Sequence, residues 1–215
     1  MPDTVIRNAT IIDGTGAPRF VGDVSIEDGH IAEIGEISGS VADLEVDATD
    51  LVLAPGFVDV HTHDDGALVQ HPDMTFKVSQ GCTSVVVGNC GFSAIPAITG
   101  ENTLDLSGVE ASWSDLDGYR DAVEGSNPAV NAMMLVGHNT IRTLEMKGER
   151  GAPNDRQLSR MQEHVELAMQ QGACGFSTGL IYRPGRWADT EEVLDLAKVV
   201  APFGGIYATH MRNEN

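Results

Sequence analysis

From Val5 to Ile34, short runs of β-branched and apolar residues alternate with polar ones and are separated by Asp-Gly steps. The runs cover residues 5–12, 23–26 and 31–34, with turns at 13–16 and 27–30. Glycine accepts the positive φ that tight hairpin turns need, so the pattern predicts a small sheet-forming module in which His30 is an exposed turn residue. After residue 50 the period changes. Strand-like runs at 51–60, 83–90, 130–138, 173–180 and 205–210 alternate with segments of helical spacing. Such alternation argues for parallel βαβ units, closed into a barrel or laid out as a doubly wound sheet.

The clearest helix is expected between Asn154 and Gly172, where Asn154 can cap, Gln157 can return the bond, and Leu158, Met161, Val165 and Ala168 form one apolar stripe. A second is expected after Asp189 and Glu192, which can cap it, with Val193, Ala197 and Val200 inward and Pro202 ending it. Shorter helical segments are expected at 74–80, ended by Gly81, and at 115–124.

Residues 51–65 read as a buried apolar strand, interrupted by Pro55-Gly56 and ending in His61-Thr62-His63-Asp64-Asp65. Side chains alternate along a strand, so His61 and His63 would share a side, with Asp59 behind them. The pair is either a metal chelate at a strand end or two unrelated histidines. In a parallel α/β barrel the strand carboxyl ends share one face, which would bring His61, His63, Cys90, His138 and His210 together. Imidazoles with one thiolate suit Zn²⁺ better than the oxygen-seeking Mg²⁺ or Ca²⁺. A zinc site with an open position can bring the pKa of bound water down to about 7, which points to hydrolysis.

Composition narrows the classes. The chain has 215 residues, 41% of them hydrophobic, enough for a core. It contains no apolar run of membrane-spanning length, and the opening Met-Pro-Asp-Thr lacks the features of a signal peptide, so a cytoplasmic location is expected. Three cysteines do not make a disulfide framework; Cys82 and Cys174 read as small buried hydrophobes near strand starts. The net charge of −19, with lysine only at 77, 147 and 198, argues against nucleic acid or an anionic membrane as partner.

Four stretches, Ala54-Pro55-Gly56-Phe57-Val58-Asp59-Val60-His61-Thr62-His63-Asp64-Asp65, Gly88-Asn89-Cys90-Gly91-Phe92-Ser93, Gly175-Phe176-Ser177-Thr178-Gly179-Leu180-Ile181-Tyr182 and Tyr207-Ala208-Thr209-His210-Met211-Arg212, occur in that order. With them the chain resembles the amino-terminal part of the N-acyl-D-amino-acid deacylases, the D-aminoacylase branch of the amidohydrolase superfamily. The resemblance implies a (β/α)8 TIM-barrel of amidohydrolase type, with about its first five βα units in residues 55–215, and a small amino-terminal β-sandwich domain in residues 1–54. It implies that Cys90 and His210 hold a tight Zn²⁺ together with a later histidine. His61 and His63 would form a second, weaker metal position completed by a later aspartate, the expected general base. Tyr182 would contact the carboxylate of a small-molecule N-acyl-D-amino acid.

No lysine lies between Lys147 and Lys198, which separates the chain from hydantoinases and dihydroorotases, whose metals are bridged by a carbamylated lysine after the fourth strand. No family role maps onto His138, which is expected to be structural or to support a ligand. Asp64 and Asp65 either orient the histidines or are solvated loop acids. A complete barrel takes about 250 residues, so the chain is expected to be a piece of a longer enzyme, inactive alone. The alternatives are an amidohydrolase of another amide or cyclic imide, and a non-catalytic protein that binds a metal or a partner.

Overall fold

The computed structural model describes residues 2–39, 42–97 and 111–214. Two compact units emerge, Met1–Gly56 and Phe57–Asn215.

The first unit is one sheet. Strands β1 (Thr4–Ile11), β2 (Phe20–Glu27) and β3 (His30–Gly35) are antiparallel neighbours in the order β3-β2-β1, while β4 (Leu44–Asp47) and the two-residue β5 (Val52–Leu53) pair with β1 in parallel. The β2–β3 turn is Asp28-Gly29, with φ of 50° and 73°, the two left-handed residues that a tight hairpin requires. Ala9, Ile11, Val24 and Ala48 make its small core. Strand β4 was not expected from the sequence; it alternates Leu and Val with Glu and Asp, and all four residues are exposed.

The second unit is a parallel sheet in chain order: β6 (Phe57–Asp59), β7 (Cys82–Val87), β8 (Asn131–Gly137), β9 (Gly175–Gly179) and β10 (Ile206–His210). Between the strands run α1 (Ala67–Gln70), α2 (Thr75–Val78), α3 (Leu116–Ser126), α4 (His138–Met146), α5 (Asp155–Gln170) and α6 (Thr190–Val200). Val85, Val87, Met134, Val136 and Phe176 of the strands pack against Leu116, Ile141, Met161, Val165, Leu196 and Val200 of the helices. The sheet runs from β6 at one edge to β10 at the other, an open arc of βα units. Among the described residues, no helix is long and apolar enough to cross a membrane.

Helix α5 starts as its sequence predicts: the Asn154 side chain accepts from the Gln157 amide at 3.0 Å and Gln157 returns the bond at 2.9 Å. Three expectations are corrected. The apolar run at 51–60 is not one buried strand: Pro55-Gly56 divides it between β5 and β6, and Phe57 and Val58 are 60% and 51% exposed because β6 is an edge strand. His138 does not end a strand at the carboxyl face; it opens α4 and is fully buried. Asp189 caps α6 by accepting from the Glu192 amide, but Glu192 does not return the bond. Its carboxylate turns inward, 2.8 Å from His138 Nε2 and paired with Arg142, both buried.

Truncating Phe176 to alanine removes the largest strand side chain from this core and is expected to cost about 3–5 kcal/mol. Asn154→Ala loses only its capping bonds and is expected to cost about 1 kcal/mol. Urea unfolding of both variants checks the difference; equal losses would mean that the β9 face is not the core.

Candidate metal centre

Two segments meet where the parallel strands end. Beyond β6 the chain leaves the sheet as Val60-His61-Thr62-His63, and His61 and His63 stand edge to face with ring centroids 5.8 Å apart. Beyond β7 it makes a single 3₁₀ turn, Asn89–Gly91, with Cys90 buried at its centre. His61, His63 and Cys90 offer donor atoms that all lie within 4.8 Å of one another. His61 Nε2 is 3.2 Å from Cys90 Sγ, and His210 Nδ1, at the end of β10, is 3.8 Å from the same sulfur. An imidazole nitrogen and a thiolate on one tetrahedral Zn²⁺ stand roughly 3.5 Å apart, from bond lengths of about 2.0 and 2.3 Å. The donor set therefore fits a zinc ion.

The cysteine turn is an unusual piece of backbone. Gly88, Cys90 and Gly91 have φ of 78°, 54° and 80°. A Cβ on Gly88 would lie 2.0 Å from the Leu135 carbonyl oxygen, and one on Gly91 2.8 Å from the Gly179 amide nitrogen. The opposing strands are equally bare, since a Cβ on Gly137 would meet Gly91 O at 2.5 Å and one on Gly179 would meet Cys90 O at 2.0 Å. With backbone packed against backbone, the buried polar groups of the turn are satisfied by side chains, as burial demands. Ser177 Oγ accepts from the Gly91 amide at 2.9 Å and donates to Gly88 O. Asn139 Nδ2 reaches Cys90 O and Gly179 O, both at 3.3 Å.

Asp64 and Asp65 answer to neither expectation. Asp64 pairs with Lys77 at 3.0 Å, and Lys77 also bonds Asp59 at 2.7 Å. Lys77, and then the His61 amide, hold the Asp59 carboxyl below its ordinary range, and Asp59 receives that amide at 3.2 Å. Asp65 is buried and binds backbone amides of the cysteine loop, not a histidine ring. Burial pushes its pKa up to about 6, against the pull of those amides.

Desolvation by the surrounding protein, and then His61, press His63 below the usual histidine range, which favours the neutral ring that a metal binds. Burial pushes the Cys90 thiol up. The Tyr182 hydroxyl lies 3.0 Å from His210 Nδ1, and Glu214 lies 2.8 Å from His210 Nε2, so both ring nitrogens have partners. Cys82 and Cys174 lie at or just before strand starts, Cys174 donating to Met134 O at 3.2 Å.

Residues 44–201 match the model of the amidohydrolase family. The chain belongs to that family. It is 41% identical over 216 residues to a D-aminoacylase of Alcaligenes xylosoxydans xylosoxydans, covering 99% of this chain and 45% of the relative. An N-acyl-D-glutamate deacylase of the same organism is 42% identical, over 99% of this chain and 44% of the relative. The crystal structure of N-acyl-D-glutamate deacylase from Bordetella bronchiseptica, complexed with zinc and a phosphonate inhibitor that mimics the tetrahedral intermediate, superposes with a TM-score of 0.94 at 43% identity. That likeness covers 99% of this chain and 46% of the other. This amidohydrolase chain thus spans less than half the length of the relatives that it matches.

The structure brings His61, His63, Cys90, His210 and Tyr182 to one place and leaves His138 out of it, facing Glu192. Sequence reasoning missed the parts played by Asn89, Asn139 and Ser177. Two of these lie inside the recognised motifs, so the signal was present but carried no hint of which backbone group each would serve.

Gly88→Ala is expected to abolish soluble expression or lower the thermal midpoint sharply, because the new Cβ meets Leu135 O at 2.0 Å with φ at 78°. Gly125→Ala, in α3 with nothing within 4 Å of its added Cβ, is the control and is expected to be neutral or mildly stabilising. Thermal melts of the two variants compare them directly.

Proposed function

We propose that residues 1–215 form the amino-terminal part of a zinc-dependent hydrolase that removes the acyl group from small-molecule N-acyl-D-amino acids. The observation that carries this is the donor set of His61, His63 and Cys90, with His210 beside it, in a chain about 40% identical to deacylases of that class. Bound by these residues, Zn²⁺ would supply Lewis acidity toward a carbonyl oxygen and lower the pKa of water.

The chain's own residues have the remaining tasks. His61 and His63 present their rings from a segment whose backbone is fixed by Asp59 and Lys77. Cys90 offers the soft anionic donor that a site lacking the bridging lysine needs, and its burial keeps bulk solvent from the sulfur. Glu214 holds the His210 ring through Nε2, and Nδ1, the nitrogen 3.8 Å from Cys90 Sγ, is the one that would take the metal. With Nδ1 on the metal, the Tyr182 hydroxyl, 40% exposed as a residue, would be left to donate to a substrate carboxylate. A carboxylate base for the proton of the attacking water, a further histidine ligand and the strands beyond β10 are proposed to come from outside residues 1–215. The relatives, more than twice as long as this chain, have room for them.

In the complete protein, Cys90→Ala is expected to lose at least half of the bound zinc and nearly all turnover; full zinc content and activity in that variant would refute the assignment. The complete protein is also expected to release free amino acid from N-acetyl-D-methionine far faster than from its L enantiomer. Chiral chromatography measures this, and equal release would remove the stereochemical part while leaving hydrolysis intact. Residues 1–215 expressed alone are expected to show no turnover and to self-associate through the exposed apolar edges at β6 and β10, which size-exclusion chromatography with the same assay will reveal.

A further inference from the structure

Two buried polar side chains cross, in opposite directions, between the segment that carries the histidine pair and the loop that carries Cys90. Asp65, two residues beyond His63, accepts from the Gly88 amide at 3.2 Å through Oδ2 and from the Ala94 amide at 3.1 Å through Oδ1. Those amides bracket Cys90 in the chain. In return, Asn89 Nδ2 donates to Val86 O at 2.8 Å and reaches Thr62 O at 3.4 Å and Val60 O at 3.5 Å, the carbonyls on either side of His61. Tyr119 fixes the Asp65 backbone from α3, its hydroxyl donating to Asp65 O at 2.8 Å.

Burying a carboxylate carries a desolvation cost, which the bonds from the two buried amides offset, so Asp65 serves the fold as well. What a carboxylate offers that an apolar residue cannot is two acceptors aimed at two separate amides. It ties residues 88 and 94 to residue 65, and so fixes the position of the turn between them relative to His61 and His63.

We propose that Asp65 is a positioning residue for metal binding: its carboxylate clamps both ends of the Cys90 loop to the backbone that carries His63, and thereby holds the Cys90 sulfur at chelating distance from the histidines. This inference rests on the metal site proposed above. Outer partners that orient ligands typically change metal affinity 10–100-fold when removed. Asp65→Asn keeps the shape but turns an amide NH₂ toward one of the two backbone N–H groups, so one end of the loop is released.

The test is titration of the metal-free complete protein with Co²⁺, whose thiolate-to-metal charge-transfer absorption reports on cysteine coordination independently of turnover. The wild type is expected to show the band at full intensity. Asp65→Asn is expected to keep the far-UV circular dichroism of the wild type while binding Co²⁺ about 10–100-fold more weakly, with the band reduced or absent. A folded Asp65→Asn protein with wild-type Co²⁺ affinity and an undiminished band, whatever its melting temperature, would overturn the proposal, since Asp65 would then serve the fold alone. Should Asp65→Asn fail to fold, Asn89→Ala, which removes the reciprocal bonds, is judged by the same two readouts; failure of both to fold also counts against it. Absence of the band in the wild type would overturn the cysteine–metal site itself, a different failure from that of Asp65.

Discussion

The carboxyl face of the parallel sheet depends on one constraint: in the turn at residues 88–91, Gly88, Cys90 and Gly91 must hold left-handed backbone angles that the chain would not choose by itself. Cys90 has φ of 54°, in a region that costs a non-glycine residue about 1–2 kcal/mol. The cost is offset by close packing. Glycines at 88 and 91 let the turn press against Leu135 and Gly179, and glycines at 137 and 179 clear the space from the other side. Ser177, Asn139 and Asp65 then satisfy the polar groups that such packing shuts away from water. The backbone that carries the thiol is thus placed by the surrounding scaffold.

Much of this was legible in the sequence, and for identifiable reasons. The strand and helix order followed from periodicity, and the α5 capping box from Asn154 and Gln157, because these signals are local. The donor residues stood out because histidine and cysteine at successive strand ends converge wherever parallel strands share a face. What stayed hidden was non-local. Nothing near Glu192 tells that its carboxylate leaves the cap position to meet residues 138 and 142, some fifty positions earlier. Nothing near Asp65 tells that its partners are amides of the cysteine loop. Helix α4 escaped because it starts directly from β8 without a side-chain cap.

The apolar run at 51–60 shows how one hydrophobic signal can serve two sheets. Its amino-terminal half pairs with β1 and its carboxyl-terminal half with β7, and the Pro55-Gly56 break separates the two. Burial could not be inferred from apolarity alone, since β6 has a neighbour on one side only. The divided run nevertheless anchors the segment that delivers His61 and His63, because β6 fixes where the chain leaves the sheet.

The inward turn of Glu192 bears on how this family of sequences can drift. Its carboxylate faces a buried arginine, and a neutral residue at 192 would strand the guanidinium of Arg142 in the interior, a change of the kind that costs about 3–5 kcal/mol. Losing Arg142 first leaves the carboxylate facing His138 without its arginine. No member of the three can be exchanged alone without leaving a buried polar or charged group short of a partner, so His138, Arg142 and Glu192 are expected to be inherited together. Lineages that have escaped the network should have replaced all three positions.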